Sequence, residues 1–325
     1  MCSSGIGGQA VLEGIMMKNK EKYAVAVRKP NKEIEVDVQE YHSIMSKNKL
    51  LALPFIRGVF SFVDSLVVGI KTLTYSASFY EDEEEEVEPS AFEKWLTEKL
   101  GDKLESVIMF VTIALSVVFS IALFMMFPLF IADTMKRFIP FITEEHVPAI
   151  EGVVKMFIFI LYIYLISFMP DIKRTYMYHG AEHKCINCIE TGKELSVENV
   201  RSSSRFHKRC GTSFLLIVMV ISILFFMCIK SKSTLTKYLL RLVLVPVIAG
   251  ISYEFIRLAG STDNKIVGLL SKPGLWLQRI TTSEPDDSMI EVAIAAVEAV
   301  FDWKKYLSDN GVAVENEVGE VEDAL

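Results

Sequence analysis

The sequence shows no excess of basic charge: 34 lysines and arginines stand against 41 aspartates and glutamates, a formal net charge of −7. Much of that imbalance comes from one acidic run, EDEEEEVE at residues 81–88, and the balance argues against a nucleic-acid partner. A secretory leader is not expected, because the opening MCSSGIGGQAVLEGIMMKNK has no basic stretch followed by a long apolar core. The first membrane span is then expected to direct insertion. Gly5, Gly7, Gly8 and Gly14 follow no strand signal and lead to no Gly-Lys-Ser. That excludes a dinucleotide fingerprint and a phosphate loop and leaves a tight structural turn as the expectation. No internal repeat is present. Histidine and cysteine are scarce, five of each, so any crowding of them carries information.

Apolar residues are abundant. They make up 51% of the 325 residues, and the mean hydropathy is +0.35, above an ordinary soluble domain. Val107 to Ala132 carries no charge and is long enough to cross a hydrocarbon core of about 30 Å at 1.5 Å per residue. Gly211 to Ile229 is also uncharged. Ala149 to Pro170, with Glu151 and Lys155, and Leu235 to Gly260, with Arg241, Glu254 and Arg257, are less pure. The expectation is a mainly α, polytopic membrane helical bundle of about four spans. Eight lysines and arginines lie between Asp171 and Thr212, against Lys136 and Arg137 alone between Asp133 and Pro148. Basic loops stay cytoplasmic. This predicts a multi-pass protein of the cell (inner) membrane with the 171–212 loop and both termini in the cytoplasm. Cysteines there stay thiols, so Cys185, Cys188 and Cys210 read as metal ligands rather than disulfides, and Cys228 as packing.

The predicted organisation runs in five parts. Residues 1–48 hold the glycine-rich start and a β-hairpin, YAVAVRK and EIEVDVQ around Pro30-Asn31. Residues 49–78 form an amphipathic interfacial or re-entrant helix. Arg57, Asp64 and Lys71 recur every seven residues, so they share one face, read as a headgroup-facing stripe. The alternative packs that stripe on Glu151, Lys155, Arg241 or Glu254. Residues 79–105 are an acidic linker and a short lead-in helix, and 106–260 the membrane domain. Residues 261–325 form a tail with a turn at Pro273-Gly274, a helix from about Pro285 to Leu307, and a disordered acidic end.

YHGAEHKCINC, residues 178–188, holds two histidines, a glutamate and two cysteines, and FHKRC adds His207 and Cys210. His179, Glu182 and His183 form His-x-x-Glu-His. On a helix both imidazoles share a face and reach one metal while Glu182 stands beside them. That is the inverzincin order, in which the glutamate polarises a water. The cysteines suggest another scheme. Cys185-x-x-Cys188 followed by His207-x-x-Cys210 has the spacing of a closed zinc knuckle, and a mixed site of His183, Cys188, His207 and Cys210 is a third. Glu254, a costly group within a span, is read as an ion pair with Arg257 or Arg241, or else as a third metal ligand or proton acceptor.

GGQAVLEGIMMK, PFIRGVFSFVDSL, YHGAEHKCINCIE, LSVENVRSSSRFHKRCGTSFLLIV, VPVIAGISYEFIRL and KPGLWLQRITTSEPDDSMIEVAIAA resemble the motifs of the YqhQ-type bacterial membrane proteins. That family is long classed as uncharacterised and is sometimes labelled a predicted metal-dependent enzyme. The resemblance covers nearly the whole chain and carries His179, Glu182, His183, Cys188, His207 and Cys210 onto matching positions. Cys185 stands where the family pattern is often not cysteine, which disfavours the four-ligand knuckle. The expected function is an integral membrane metal-binding protein, a metal-dependent hydrolase at the cytoplasmic face with Glu182 as general base and zinc, or else iron, as the metal. The alternative is a non-enzymatic assembly or accessory factor, its metal clip serving membrane partners such as insertion machinery. Membrane lipid is the expected surrounding partner.

Overall fold

The computed structural model describes residues 3–44, 49–80, 104–229, 233–261 and 265–312. The acidic run, most of the lead-in segment and the acidic end of the tail lie outside these residues.

The chain opens with four strands, Gly7–Val11 (β1), Gly14–Asn19 (β2), Lys22–Arg28 (β3) and Ile34–Glu40 (β4), paired antiparallel in sequential order. The predicted hairpin is β3 and β4, with Val25 opposite Asp37. The glycine-rich start, expected as a tight turn, instead supplies two further strands. In β2 both faces are covered, so alternation is replaced by the continuous apolar run Ile15, Met16 and Met17. Ile15, Met17 and Ala26 enter one core while Val11, Met16, Val25 and Val27 enter another. Gly14 is required where the strands meet: a Cβ there would lie 2.4 Å from the Ala26 carbonyl oxygen.

Helix α1, Ile56–Ala77, covers the second face of the sheet through Val68 and Tyr75. Of its charged stripe, Arg57 and Asp64 turn toward protein, while Lys71 is exposed. Asp64 is buried and accepts hydrogen bonds from Tyr41 Oη at 2.8 Å and Ser43 Oγ at 2.6 Å. Arg57 pairs with Glu254 through two bonds of 2.6 and 2.5 Å. Lys71 lies 5.9 Å from the Tyr23 ring centroid. The alternative reading of the stripe therefore holds for Arg57, whose partner is one of the bundle residues named above.

The apolar helices follow. Leu104–Ile121 (α2), one wide turn at Ala122–Met126, and Phe127–Phe138 (α3) run on from one another. Then come Val147–Ile166 (α4), Pro170–Glu190 (α5), Val197–Ser202 (α6), Gly211–Met227 (α7) and Thr234–Ser261 (α8). Three stretches are long and apolar enough to cross a membrane: Val107–Phe138, Val147–Ile166 and Leu235–Leu258. The fourth expected span, α7, is apolar but only 17 residues long. Inside the bundle Arg241 donates to Glu151 at 2.6 Å, with Lys155 3.9 Å from the same carboxylate. This pairing joins α8 to α4 and neutralises two buried charges that would be costly alone.

The expected turn at Pro273-Gly274 is a correction: Lys265–Thr281 is one helix (α9). Gly274 serves close approach there, since a Cβ would sit 2.7 Å from Ser213 Cβ on α7. The expected tail helix divides into Asp287–Val300 (α10) and Trp303–Asp309 (α11). Asp286 caps the first by accepting the Met289 N–H at 3.0 Å, and Asp302 caps the second through Lys305 N–H at 2.9 Å. These segments do not form a separate tail. Met289, Ile290, Ala293 and Val297 of α10 share one core with Tyr178, Ile186 and Ile189 of α5 and with the first face of the sheet. Residues 3–40, the 171–212 segment and helices α10 and α11 thus fold as a single unit on the bundle.

Candidate metal centre

The histidines sit on α5. Pro170 starts this helix at a position that needs no N–H donor, and Gly192, at φ 81°, ends it. Spacing of four residues stacks the two rings, with centroids 4.4 Å apart. The segment after α6 is laced along α5 by polar side chains. Lys184 donates to the carbonyls of Arg201 and Ser203, both at 2.9 Å, and Asn187 to those of Ser204 and Phe206 at 2.7 and 3.0 Å. This brings Cys210 back over the helix. As the N-cap of α7, Cys210 accepts the Thr212 N–H at 3.4 Å.

His179, His183 and Cys210 offer ligand atoms that all lie within 4.8 Å of one another. Cys210 Sγ is 3.3 Å from His179 Nε2. Each histidine is oriented from behind: His179 Nδ1 lies 2.9 Å from the Thr281 carbonyl and His183 Nδ1 2.6 Å from that of Arg205. A carbonyl accepts only, so Nδ1 carries the proton and Nε2 keeps its lone pair for the site, the arrangement usual behind metal-bound histidine. Burial also pushes the His183 pKa down, against the pull of Cys210, which keeps its ring neutral and able to ligate. Two imidazole nitrogens and a thiolate suit zinc.

A cavity of about 100 Å³ adjoins the three donors, walled by Gly7, Gly8, Glu182, His207 and Arg209 among others. Glu182 is buried, and its Oε1 accepts the Gly8 N–H at 3.1 Å. Burial raises its pKa, opposed by His179 and by that backbone N–H. His207 lines the cavity with its ring centroid 5.6 Å from that of His183, and its Nε2 is 3.7 Å from Glu190 Oε2. Gln278 fixes its backbone through two bonds of 2.8 Å.

Glu190 gathers the rim. Burial alone would push its carboxyl up, but hydrogen bonds from His207, Arg209 and Ser4 overcome this and hold its pKa at about 2.

The remaining candidates are elsewhere. Cys188 and Cys185 are fully buried in the apolar core beneath α5, and Cys188 Sγ lies 3.3 Å from the Glu194 carbonyl. Burial raises both thiol pKa values, the opposite of what a thiolate ligand needs. Glu254 is held by Arg57 and by the Phe55 N–H at 3.3 Å, with the charge of Arg257 also acting on it, while Arg241 pairs with Glu151 instead.

Residues 53–303 match the family described as Protein of unknown function (DUF1385). The chain is 35% identical over 293 residues to the Uncharacterized protein YqhQ of Bacillus subtilis (strain 168), covering 89% of each chain. The chain belongs to this family. No solved structure matches it. The DUF1385 match begins at residue 53, past the whole sheet, yet Gly8 of β1 lies in the cavity wall. Sequence reading missed Gly8, Ser4, Gln278 and Glu190. Only Glu190 left a signal, seven residues after His183 and so on the same helix face.

Proposed function

We propose that this protein is a multi-pass membrane protein with both termini in the cytoplasm, carrying a zinc-dependent hydrolase site at the cytoplasmic face. One observation carries the reading: His179, His183 and Cys210 converge with both histidines held from behind, beside a cavity that has Glu182 in its wall. A structural zinc is closed by four protein ligands, whereas a catalytic zinc keeps one position open. Three converging donors and an adjacent cavity favour the second. The closed clip of an assembly factor is disfavoured because Cys185 and Cys188 face the core.

Zinc supplies, when bound, a Lewis acid that makes water nucleophilic near neutral pH. The chain's own groups move the proton. Glu182, with Oε1 held by Gly8, takes a proton from the attacking water and returns it to the leaving group. Its burial strengthens it as a base compared with a solvated carboxylate. Cys210 begins the apolar helix α7, so the site lies where that helix meets water. This suits a peptide or lipid-linked bond presented at the membrane surface.

The test is metal analysis of the purified protein together with Glu182→Gln. Stoichiometric zinc, retained in a variant that folds normally but fails to complement a deletion strain, is expected. Stoichiometric iron would replace the metal but keep the site, and a fully functional Glu182→Gln protein would end the hydrolase reading.

A further inference from the structure

Helix α1 is inverted relative to a helix on a water-soluble surface. Gly58, Asp64, Gly69, Thr72 and Ser76 are buried against the protein, while Leu66, Val67, Ile70 and Leu73 are 47–60% exposed. These four recur at three- and four-residue steps and so form one continuous outward face with no charge in it. Soluble proteins seldom leave such a patch to water.

The inward contacts fix where the helix lies. At its start, a Cβ on Gly58 would come 2.7 Å from Tyr253 Cβ and 2.9 Å from Gly250 Cα of α8. Gly250 stands roughly 12 Å, at 1.5 Å per residue, before Leu258, the end of that apolar stretch. Arg57 meets Glu254 there through two bonds, the neutralised pairing that a low-dielectric position requires. Midway, the Phe62 ring lies 6.0 Å from that of Phe214, one turn beyond Cys210 on α7. At its far end, Ser76 Oγ accepts the Leu12 N–H of the sheet unit at 3.1 Å. The helix therefore slants from membrane depth beside α8 to the sheet unit, passing the start of α7.

We propose that α1 is a half-membrane wedge whose outward face is covered by phospholipid acyl chains of the cytoplasmic leaflet, alongside the metal centre. The inference rests on the membrane reading above and is independent of the metal. Continuity with α8 identifies lipid as the occupant: the wedge is packed against this apolar helix through Gly58 and turns Leu66, Val67, Ile70 and Leu73 away from it.

The test places an environment-sensitive fluorescent amino acid, by codon reassignment, at Val67, at Phe119 on α2, or at Lys305 on α11, in full-length protein reconstituted singly into phospholipid nanodiscs. Brominated acyl chains and aqueous iodide are the quenchers. The expected result is a loss of Val67 emission with bromolipid equal to that at Phe119, and protection from iodide. Iodide quenching of Val67 matching Lys305, while Phe119 remains bromolipid-quenched, overturns the wedge and leaves the membrane reading intact. Protection of Val67 from both quenchers means protein covers it and also overturns the wedge. Iodide quenching of Phe119 itself would remove the membrane reading, and the wedge with it.

Discussion

Cys188 and Cys210 are both buried cysteines a short distance from His183 in sequence, yet their surroundings assign them different work. Cys210 caps a helix and contacts His179, whereas Cys188 packs in a core and meets the Glu194 carbonyl and Ser203. Cys210→Ser and His183→Ala should therefore lose metal to a weak chelator, with affinity falling by orders of magnitude. Cys188→Ser and Glu254→Gln should keep it, and metal retention after dialysis separates the two sets. Gly8 makes a subtler case. A Cβ there would lie 2.6 Å from the Met16 carbonyl and 3.0 Å from Glu182 Cγ, so Gly8→Ala should displace the base without touching a ligand. Zinc content should persist while complementation fails; loss of zinc would mean that Gly8 supports the ligands instead.

Among elements, α5 carries the histidines and its position depends on the segment after α9. Gly180 lies where a Cβ would meet the Ser283 carbonyl at 2.1 Å, and Ser283 N–H donates to Tyr176 at 2.9 Å in the same contact. Gly180→Ala should force these backbones apart. The expected cost is about 1–3 kcal/mol, as for overpacked sites, read by thermal unfolding. Because the Thr281 carbonyl behind His179 moves with that segment, zinc affinity should also fall by about 10–100-fold. An unchanged affinity would show that the carbonyl is not needed to orient the ring.

For the molecule as a whole, Glu190 ties the amino-terminal residues to the site through Ser4, Arg209 and His207. Its folded pKa of about 2 lies below the ordinary value near 4.3, so it stabilises the fold above that value. This contribution is lost as pH falls from about 4.3 towards 2. Glu190→Gln should lower stability at neutral pH by about 2 kcal/mol after allowance for screening and flatten the acid side of the stability profile across that window. A parallel profile in the variant would refute the coupling. Orientation is checked by single cysteines at exposed sites. A membrane-impermeant reagent on intact cells should label Glu145→Cys and miss Ser202→Cys; the reverse pattern would invert the proposed topology.

Local patterns were sufficient for much of this. Apolar length predicts the three long apolar helices, the proline-asparagine turn predicts β3 and β4, and a four-residue spacing predicts that His179 and His183 share a face. Each is a property of neighbouring residues, set by helix or strand period. Tertiary structure decided the rest. Which cysteine joins the histidines depends on a segment folded back by Lys184 and Asn187. Whether Arg57 and Asp64 face headgroups or protein depends on Glu254 and Tyr41, each distant in sequence from its partner. Strand β2 was hidden because burial on both faces erases the alternation by which strands are recognised. The period of a pattern is written along the chain, but the identity of what covers each face is not.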